Sequence, residues 1–523
     1  MKRLLLLSVF FYSLHSTAQV ITATTEDRSR YLLHTIKWTS REKQGFQDGN
    51  NIIQIEKTGT KAQMGYTVRL DGTKHALIIR KISADDKEIA SNKLDGGERV
   101  FGPIMTEPYE FAGKLLLFYY RYIDKDSMKL YVSEVDKNTL QLVNTTHLFS
   151  YKQENVGLFK LAKAVDREII LRTSKDGSRL LVVVPGTDEE LFSCVLEKDL
   201  HFIRKKTSKI KLSDDLEVFQ AIVDNKGNSI IALGKNRYSF ETFNSSIVQK
   251  LLVIKSDNTE RLSGVEAWSN EAEFRNARFQ ISNDQAKVYV FGDYSGEIAN
   301  AGIWLSEIHA DKFNFSKPKT FPYPEDFKKR VYATGFGEKK KGNYGIWDAD
   351  LQLTEFENGD VTISGSPLHQ NFSSGMDNDG KIKSSSTYLV GPVMVAFLKG
   401  NTSIFTMIPR AQHSCGGSKS LFIPYQDKLV VIYNDFAKYI NDKLTDDVNP
   451  VRINAVKELS LAGAIVNKDG TIVSRKMLAE GIARMNFYNT SYCEFLSDKK
   501  LLIPSASSDK KTDDMKVVEV TVE

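Results

Sequence analysis

Short runs of Val, Ile, Leu, Phe and Tyr recur along the whole chain, each split from the next by Asp, Asn, Lys or Gly. In the sharpest cases two runs and their break read as one hairpin. Ala221-Ile222-Val223 leads through Asp224-Asn225-Lys226-Gly227-Asn228 into Ser229-Ile230-Ile231-Ala232-Leu233. Leu353-Thr354-Glu355-Phe356 leads through Glu357-Asn358-Gly359-Asp360 into Val361-Thr362-Ile363, and Ile465-Val466 through Asn467-Lys468-Asp469-Gly470 into Thr471-Ile472-Val473. Asn, Asp and Gly tolerate the positive φ of tight turns, so each stretch predicts a β-hairpin. A looser version recurs at 109–118, 279–292, 421–433 and 495–503.

These units start near residues 109, 158, 217, 278, 350, 419 and 491, about 50 to 70 residues apart. Many are followed by a further apolar strand, as at Lys129-Leu130-Tyr131-Val132, Leu251-Leu252-Val253-Ile254, Ile303-Trp304-Leu305 and Val393-Met394-Val395. Three or four strands per unit cannot bury both faces of their own sheet, whereas neighbours stacked side by side can. The pattern predicts an all-β chain folded as a β-propeller of seven blades, with six or eight also compatible, and a pair of β-sandwich domains as the competing architecture. Short helical insertions are expected at 325–332, after Pro324, and at 436–444. The Ser-, Gly- and Asn-rich stretch 371–386 reads as a long loop. Residues 20–108 repeat less clearly and are expected to supply N-terminal strands that close the ring, with 109–523 as repeated blades of a single domain; closure would remove an open sheet edge.

The first residues change the picture of where the chain works. Lys2 and Arg3 precede an apolar run at 4–14, broken only by Ser8 and Ser13, and Ser16-Thr17-Ala18-Gln19 follows with small residues. This is the layout of a secretory leader over residues 1–19. The run is about half the ~20 residues that span a bilayer as a helix, and no later stretch is long enough, so no transmembrane segment is expected. The expectation is an exported chain, periplasmic or at the cell surface or beyond, and a monomer.

Charge excludes one class of partner. The chain carries a formal net charge of +5, which falls to +3 once Lys2 and Arg3 leave with the leader. Both signs are interspersed, and Lys339-Lys340-Lys341 is a short solvated run, so no basic face points to nucleic acid. Three cysteines, Cys194, Cys415 and Cys493, are too few and too scattered for a disulfide framework, and Cys194 reads as buried.

Met407-Ile408-Pro409-Arg410-Ala411-Gln412, then Val430-Val431-Ile432-Tyr433-Asn434-Asp435, then Asn467-Lys468-Asp469-Gly470 carry a family likeness. Over roughly residues 350–500 the chain resembles a group of uncharacterised exported proteins of Bacteroidota, and the leader ending in Ala18-Gln19 is similar to theirs. The resemblance implies export and a propeller fold, and brings no known activity. Where such proteins often continue with Asn, this chain has Phe436.

Candidate chemistry is sparse. Asp377-Asn378-Asp379-Gly380 invites a calcium-loop reading, but Gly375 and Ser386 stand where that loop wants carboxylates. No two of His34, His75, His147, His201, His309, His369 and His413 have local metal-pair spacing, so no metal or cofactor is expected. No GxSxG elbow occurs. Arg410, Gln412 and His413 place a guanidinium, an amide and an imidazole close together, suited to a carboxylate or sugar hydroxyls, or else to fixing a turn. Asn434 and Asp435 form a second polar turn, with Asp435 suited to cap a following helix. Trp347 adjoins a polar insertion and is the aromatic candidate for glycan contact, while Trp304 lies inside an apolar strand and reads as core. The leading expectation is a non-enzymatic binding or scaffold propeller of the cell envelope, with loops including 310–350 and 366–390 as the recognition surface for an envelope protein or glycan. The alternatives are a glycan- or envelope-acting hydrolase or lyase with carboxylates near the propeller axis, and an assembly component that pairs through an open strand edge.

Overall fold

The computed structural model describes residues 21–26, 43–58, 76–83, 87–95, 106–122, 127–152, 169–185, 190–209, 217–238, 246–256, 261–266, 273–295, 301–309, 316–340, 343–346, 349–376, 382–410, 412–413, 419–437, 440, 459–481, 487–506 and 516–523. Strand β1 (Ile21–Glu26) opens the chain. The next four, β2 (Lys43–Asp48), β3 (Asn51–Thr58), β4 (Ala76–Ile82) and β5 (Glu88–Asp95), form an antiparallel sheet in sequence order. The same meander recurs in β6 (Thr106–Phe111), β7 (Lys114–Tyr122), β8 (Ser127–Val135) and β9 (Leu142–Lys152). It recurs again in β10 (Ile170–Thr173), β11 (Leu180–Pro185), β12 (Glu190–Leu196) and β13 (Phe202–Lys209).

Two further meanders are joined by the single pair Ile247–Arg275. The first holds β14 (Glu217–Val223), β15 (Ser229–Tyr238), β16 (Ser246–Ser256) and β17 (Arg261–Glu266). The second holds β18 (Glu273–Ile281), β19 (Lys287–Ser295), β20 (Gly302–His309) and β21 (Lys319–Pro322). Helix α1 (Glu325–Ala333) and the hairpin of β22 (Gly337–Lys340) and β23 (Asn343–Ile346) follow. Then β24 (Ala349–Glu355), β25 (Val361–Met376), β27 (Val393–Lys399) and β28 (Thr402–Ile408) pair in that order, while β26 (Ile382–Val390) and β29 (Gln412–His413) extend the far half of β25. The last meanders are β30 (Leu421–Tyr425), β31 (Lys428–Phe436), β32 (Leu459–Asn467) and β33 (Ile472–Ala479), and then β34 (Phe487–Tyr488), β35 (Glu494–Ser497), β36 (Lys500–Ala506) and β37 (Val517–Val522). Strand β1 pairs with β37 along its whole length.

The chain divides into two compact units, one of His34–Tyr294 with Trp304–Thr320, the other of Met1–Leu33, Ser295–Ile303 and Phe321–Glu523. Within each, the cores explain the unbroken apolar runs. Side chains alternate between the two faces of a strand. On β7, Leu115, Leu117 and Tyr119 join Ile53, Ile55, Leu77 and Ile79 of the preceding sheet. Their neighbours Leu116, Phe118 and Tyr120 join Leu180, Val182 and Val184 of the following one. Strand β11 repeats the device, with Leu181 and Val183 packed against Ala221, Val223, Ile231 and Leu233. Trp304, as expected, is core: it packs with Phe279, Val288 and Val290, and its Nε1–H donates to the Asp293 carbonyl at 3.0 Å. In the second unit, Leu429, Val431 and Tyr433 of β31 face Val393, Val395 and Phe397, while Val430 and Ile432 face Leu501, Ile503, Val518 and Ile21. Burying each such side chain stabilises by about 1.5–3 kcal/mol, which a strand packed on one face obtains from only half its residues.

The hairpin turns form where the sequence places them. Gly227, Gly359 and Gly470 take φ of +86°, +80° and +82°. In the looser turns a non-glycine residue takes that role, as Gln285 does at +60°. One glycine is fixed by close approach: a Cβ on Gly365 would stand 2.2 Å from the Asp350 carbonyl oxygen.

Two expectations change. Residues 43–95 make a sheet of their own, and the strand that joins the final sheet is β1 alone. The stretch 371–386 is mostly strand: β25 and β26 stay in register from Leu368–Val390 out to Met376–Ile382. The calcium-loop candidate at 377–380 lies outside the described residues. Helix α1 sits where expected, whereas of the 436–444 candidate only Ala437 and Ile440 are described as helical. Among the described residues no helix is long and apolar enough to cross a membrane.

Candidate functional site

Alternation along β31 decides where its polar end points. Tyr433 and Asp435 share the face of Leu429 and Val431, and Asn434 shares the opposite face with Val430 and Ile432. All three are buried. Asn434 uses its amide as a rung of β-ladder: Nδ2 donates to the Tyr488 carbonyl and Oδ1 accepts from the Tyr488 N–H, both at 2.8 Å. Gln220 does the same to the carbonyl and N–H of Phe279, again at 2.8 Å each way. An amide side chain thus ties one sheet to the backbone of the next in both units.

On the other face Asp435 meets Arg475 of β33 in an ion pair, their side chains 1% and 6% exposed. Asp435 Oδ1 also accepts the Phe436 N–H at 2.9 Å. Arg475 Nε donates to the Tyr433 hydroxyl at 2.7 Å, and its Nη2 to the Pro409 carbonyl at 3.3 Å. Arg410, itself 1% exposed, donates through Nε to the Gly391 carbonyl at 3.1 Å and through Nη2 to Ser366 Oγ at 2.9 Å. Its Cζ lies 5.8 Å from the Tyr433 ring centre, and that of Arg475 lies 5.9 Å from it. Burial pushes the Asp435 carboxyl up to about 6, against the pull of Arg475 first and then of the Phe436 N–H and Arg410. Burial likewise pushes the Tyr433 hydroxyl up to about 12.

The structure therefore brings Arg410 and Asp435 into one neighbourhood, joined through Tyr433 and through Arg475, which sequence reading did not single out, while Asn434 serves the opposite face. Arg410 holds the point where β25 leaves its sheet at Ser366 to run on as the ribbon with β26. Gln412 and His413 form β29, paired with Val390 and Leu389 of that ribbon. Trp347 lies outside the described residues. The signal for Arg475 was a charged pair with Lys476 in the middle of a strand that is otherwise mostly apolar, and only the fold reveals its partner.

A second polar arrangement occupies one edge of the first unit. The β10–β11 turn is organised by Asp176, which accepts from Ser174 Oγ at 2.7 Å and from Ser178 N at 2.9 Å. These hydrogen bonds, the Ser174 hydroxyl foremost, hold its carboxyl at about 2. Asp224 and Asp284 organise the β14–β15 and β18–β19 turns in the same way. The turns are also tied to one another. Asp176 N–H donates to Asn225 Oδ1 at 3.2 Å, Asn225 N–H to Gln285 Oε1 at 2.9 Å, and Lys175 Nζ to Asn283 Oδ1 at 2.8 Å. The Tyr109 hydroxyl and Thr173 Oγ1, 2.9 Å apart, carry the link to the preceding sheet. Lys175, Asp176, Lys226, Asn283 and Asp284 remain exposed.

Among the described residues no group of three or more His, Cys, Asp or Glu is placed to hold a metal ion. Cys194 is buried and Cys493 half-buried, both as thiols, and burial raises both above the usual thiol range.

No family model and no curated protein matches the chain. Solved structures do. The WD40 domain of SCAP from fission yeast is 10% identical with a TM-score of 0.34, over 90% of this chain and 98% of that one. An α-L-arabinanase of Penicillium chrysogenum is 11% identical with a TM-score of 0.31, over 68% and 95%. A post-proline cleaving enzyme from Rickettsia typhi is 11% identical with a TM-score of 0.27, over 67% of this chain; the match spans 49% of that enzyme's length. Likenesses at this level carry no argument about activity or ligand. By fold class the chain is all-β, a β-propeller built of short antiparallel meanders.

Proposed function

We propose that the chain is an exported binding or scaffold propeller of the cell envelope, without catalysis of its own, that recognises an envelope protein or glycan. The observation that supports this reading is the tied edge of the first unit. Three successive turns are braced by hydrogen bonds from one to another, two of side chain with backbone and one between side chains, and they present Lys175, Asp176, Lys226, Asn283 and Asp284 to solvent. Polar groups held in place before a partner arrives lose less conformational freedom on binding, so such a surface suits recognition. The leader at 1–19 puts the partner outside the cytoplasm.

The test is a binding screen of the mature chain against purified envelope glycans and envelope protein fractions, with the incubated glycans then analysed for cleavage. Saturable binding that weakens about tenfold per folded molecule in Lys175→Ala with Asp284→Ala supports the proposal. Shortened or unsaturated glycan products would replace it with the hydrolase or lyase reading.

A further inference from the structure

We propose that the outer edge of β37 is an acceptor for residues 21–26, and that it is filled only after the leader has been cut from the chain. The inference rests on the export reading above. Strand β1 makes six rungs with β37, from Ile21–Val522 to Glu26–Val517. Its first residue is the most deeply set: Ile21 is 1% exposed and packs with Ile432, Leu501, Val520 and Val522. Lys476 Nζ donates to the Ile21 carbonyl. A Cβ on Gly463 would stand 3.1 Å from Ile21 Cδ1, so β32 leaves this side chain only the room it fills.

The small-residue stretch Ser16-Thr17-Ala18-Gln19 ends two residues before Ile21. A peptidase cutting after Gln19 must hold the chain extended in its own cleft on both sides of that bond. The docked strand holds Ile21 by its side chain and its carbonyl. The two states compete for the same few residues, so cutting comes first and docking second. The acceptor is also late: β37 lies about 500 residues downstream of β1, and it cannot offer an edge until that length of chain has crossed the membrane. Until then the last sheet keeps a row of unpaired backbone groups that only an extended strand can satisfy.

Three forms of the chain test this by hydrogen exchange at the β37 amides that face β1: the uncut precursor, the chain starting at Val20, and the chain starting at Asp27. Exchange in the Val20 form should be roughly 100-fold slower than in the other two. A synthetic peptide of residues 20–26 should restore protection to the Asp27 form. Equal protection in the precursor and the Val20 form would overturn the link to leader removal. Protection of the Asp27 form without peptide would overturn the assignment of the occupant. Export is read separately, from the first residue of protein recovered from the envelope: Val20 supports the reading on which the proposal rests, and Met1 overturns both.

Discussion

Replacing Arg475 with alanine removes the ion-pair partner of a carboxylate whose side chain is 1% exposed. Breaking a buried pair from one side costs about 3–5 kcal/mol, because the remaining charge keeps its desolvation penalty. The Tyr433 hydroxyl and the Pro409 carbonyl lose a donor as well. The cost should depend on pH in a definite direction. Burial holds the folded Asp435 carboxyl at about 6, above its ordinary 3.8. The native state therefore keeps a proton that the unfolded chain releases, and this site's stabilisation, full below the ordinary value, is lost as pH rises through 6. Between pH 5 and 7 that loss is on the order of 1 kcal/mol in the parent protein. Arg475 is the strongest influence opposing burial, so without it the carboxyl moves higher still. The variant should go on losing about 1.4 kcal/mol per pH unit beyond pH 7, up to its new titration point. Urea unfolding of both proteins at pH 5.5, 7 and 8.5 measures this. A deficit below about 1 kcal/mol that is the same at all three pH values would refute the placement of Asp435 against Arg475.

Other substitutions test other parts of the framework. Asn434→Ala orphans the N–H and carbonyl of buried Tyr488 and should cost about 2–4 kcal/mol in thermal or urea unfolding. Gly365→Ala places a methyl 2.2 Å from the Asp350 oxygen and should lower stability by at least about 3 kcal/mol, read from the melting temperature. Trp304→Phe keeps the ring packing but removes the hydrogen bond to Asp293, an expected loss of about 1–2 kcal/mol in unfolding followed by circular dichroism.

The hairpins were legible because their turn chemistry is local: Asp224 to Asn228 carries its own side-chain hydrogen bonds and its glycine at positive φ. The run at 115–118 was legible because both faces of that strand are buried, which leaves no polar break. The sheet at 43–95 was not. Its strands mix charged residues with Ile53, Ile55, Leu77 and Ile79, and these pack toward a core on one side. At 371–386 composition pointed to a loop, since Ser, Gly and Asn there carry no apolar period, whereas the pairing of β25 with β26 is a matter of backbone register. The polar residues at 410 and at 434–435 were found as two separate segments, and their role depends on Arg475 and Tyr488, 40 and 54 residues from their partners in sequence.

The central claim is that the Arg410–Asp435 neighbourhood belongs to the framework while the tied turns of the first unit carry recognition. Arg410→Ala and the Lys175→Ala, Asp284→Ala double variant, compared in one experiment for unfolding and for binding to the envelope fraction that the parent protein retains, test it directly. The account predicts that Arg410→Ala loses several kcal/mol of stability yet binds normally per folded molecule, while the turn variant loses much less stability and binds about tenfold more weakly per folded molecule. An Arg410→Ala protein that melts like the parent and no longer binds would contradict it.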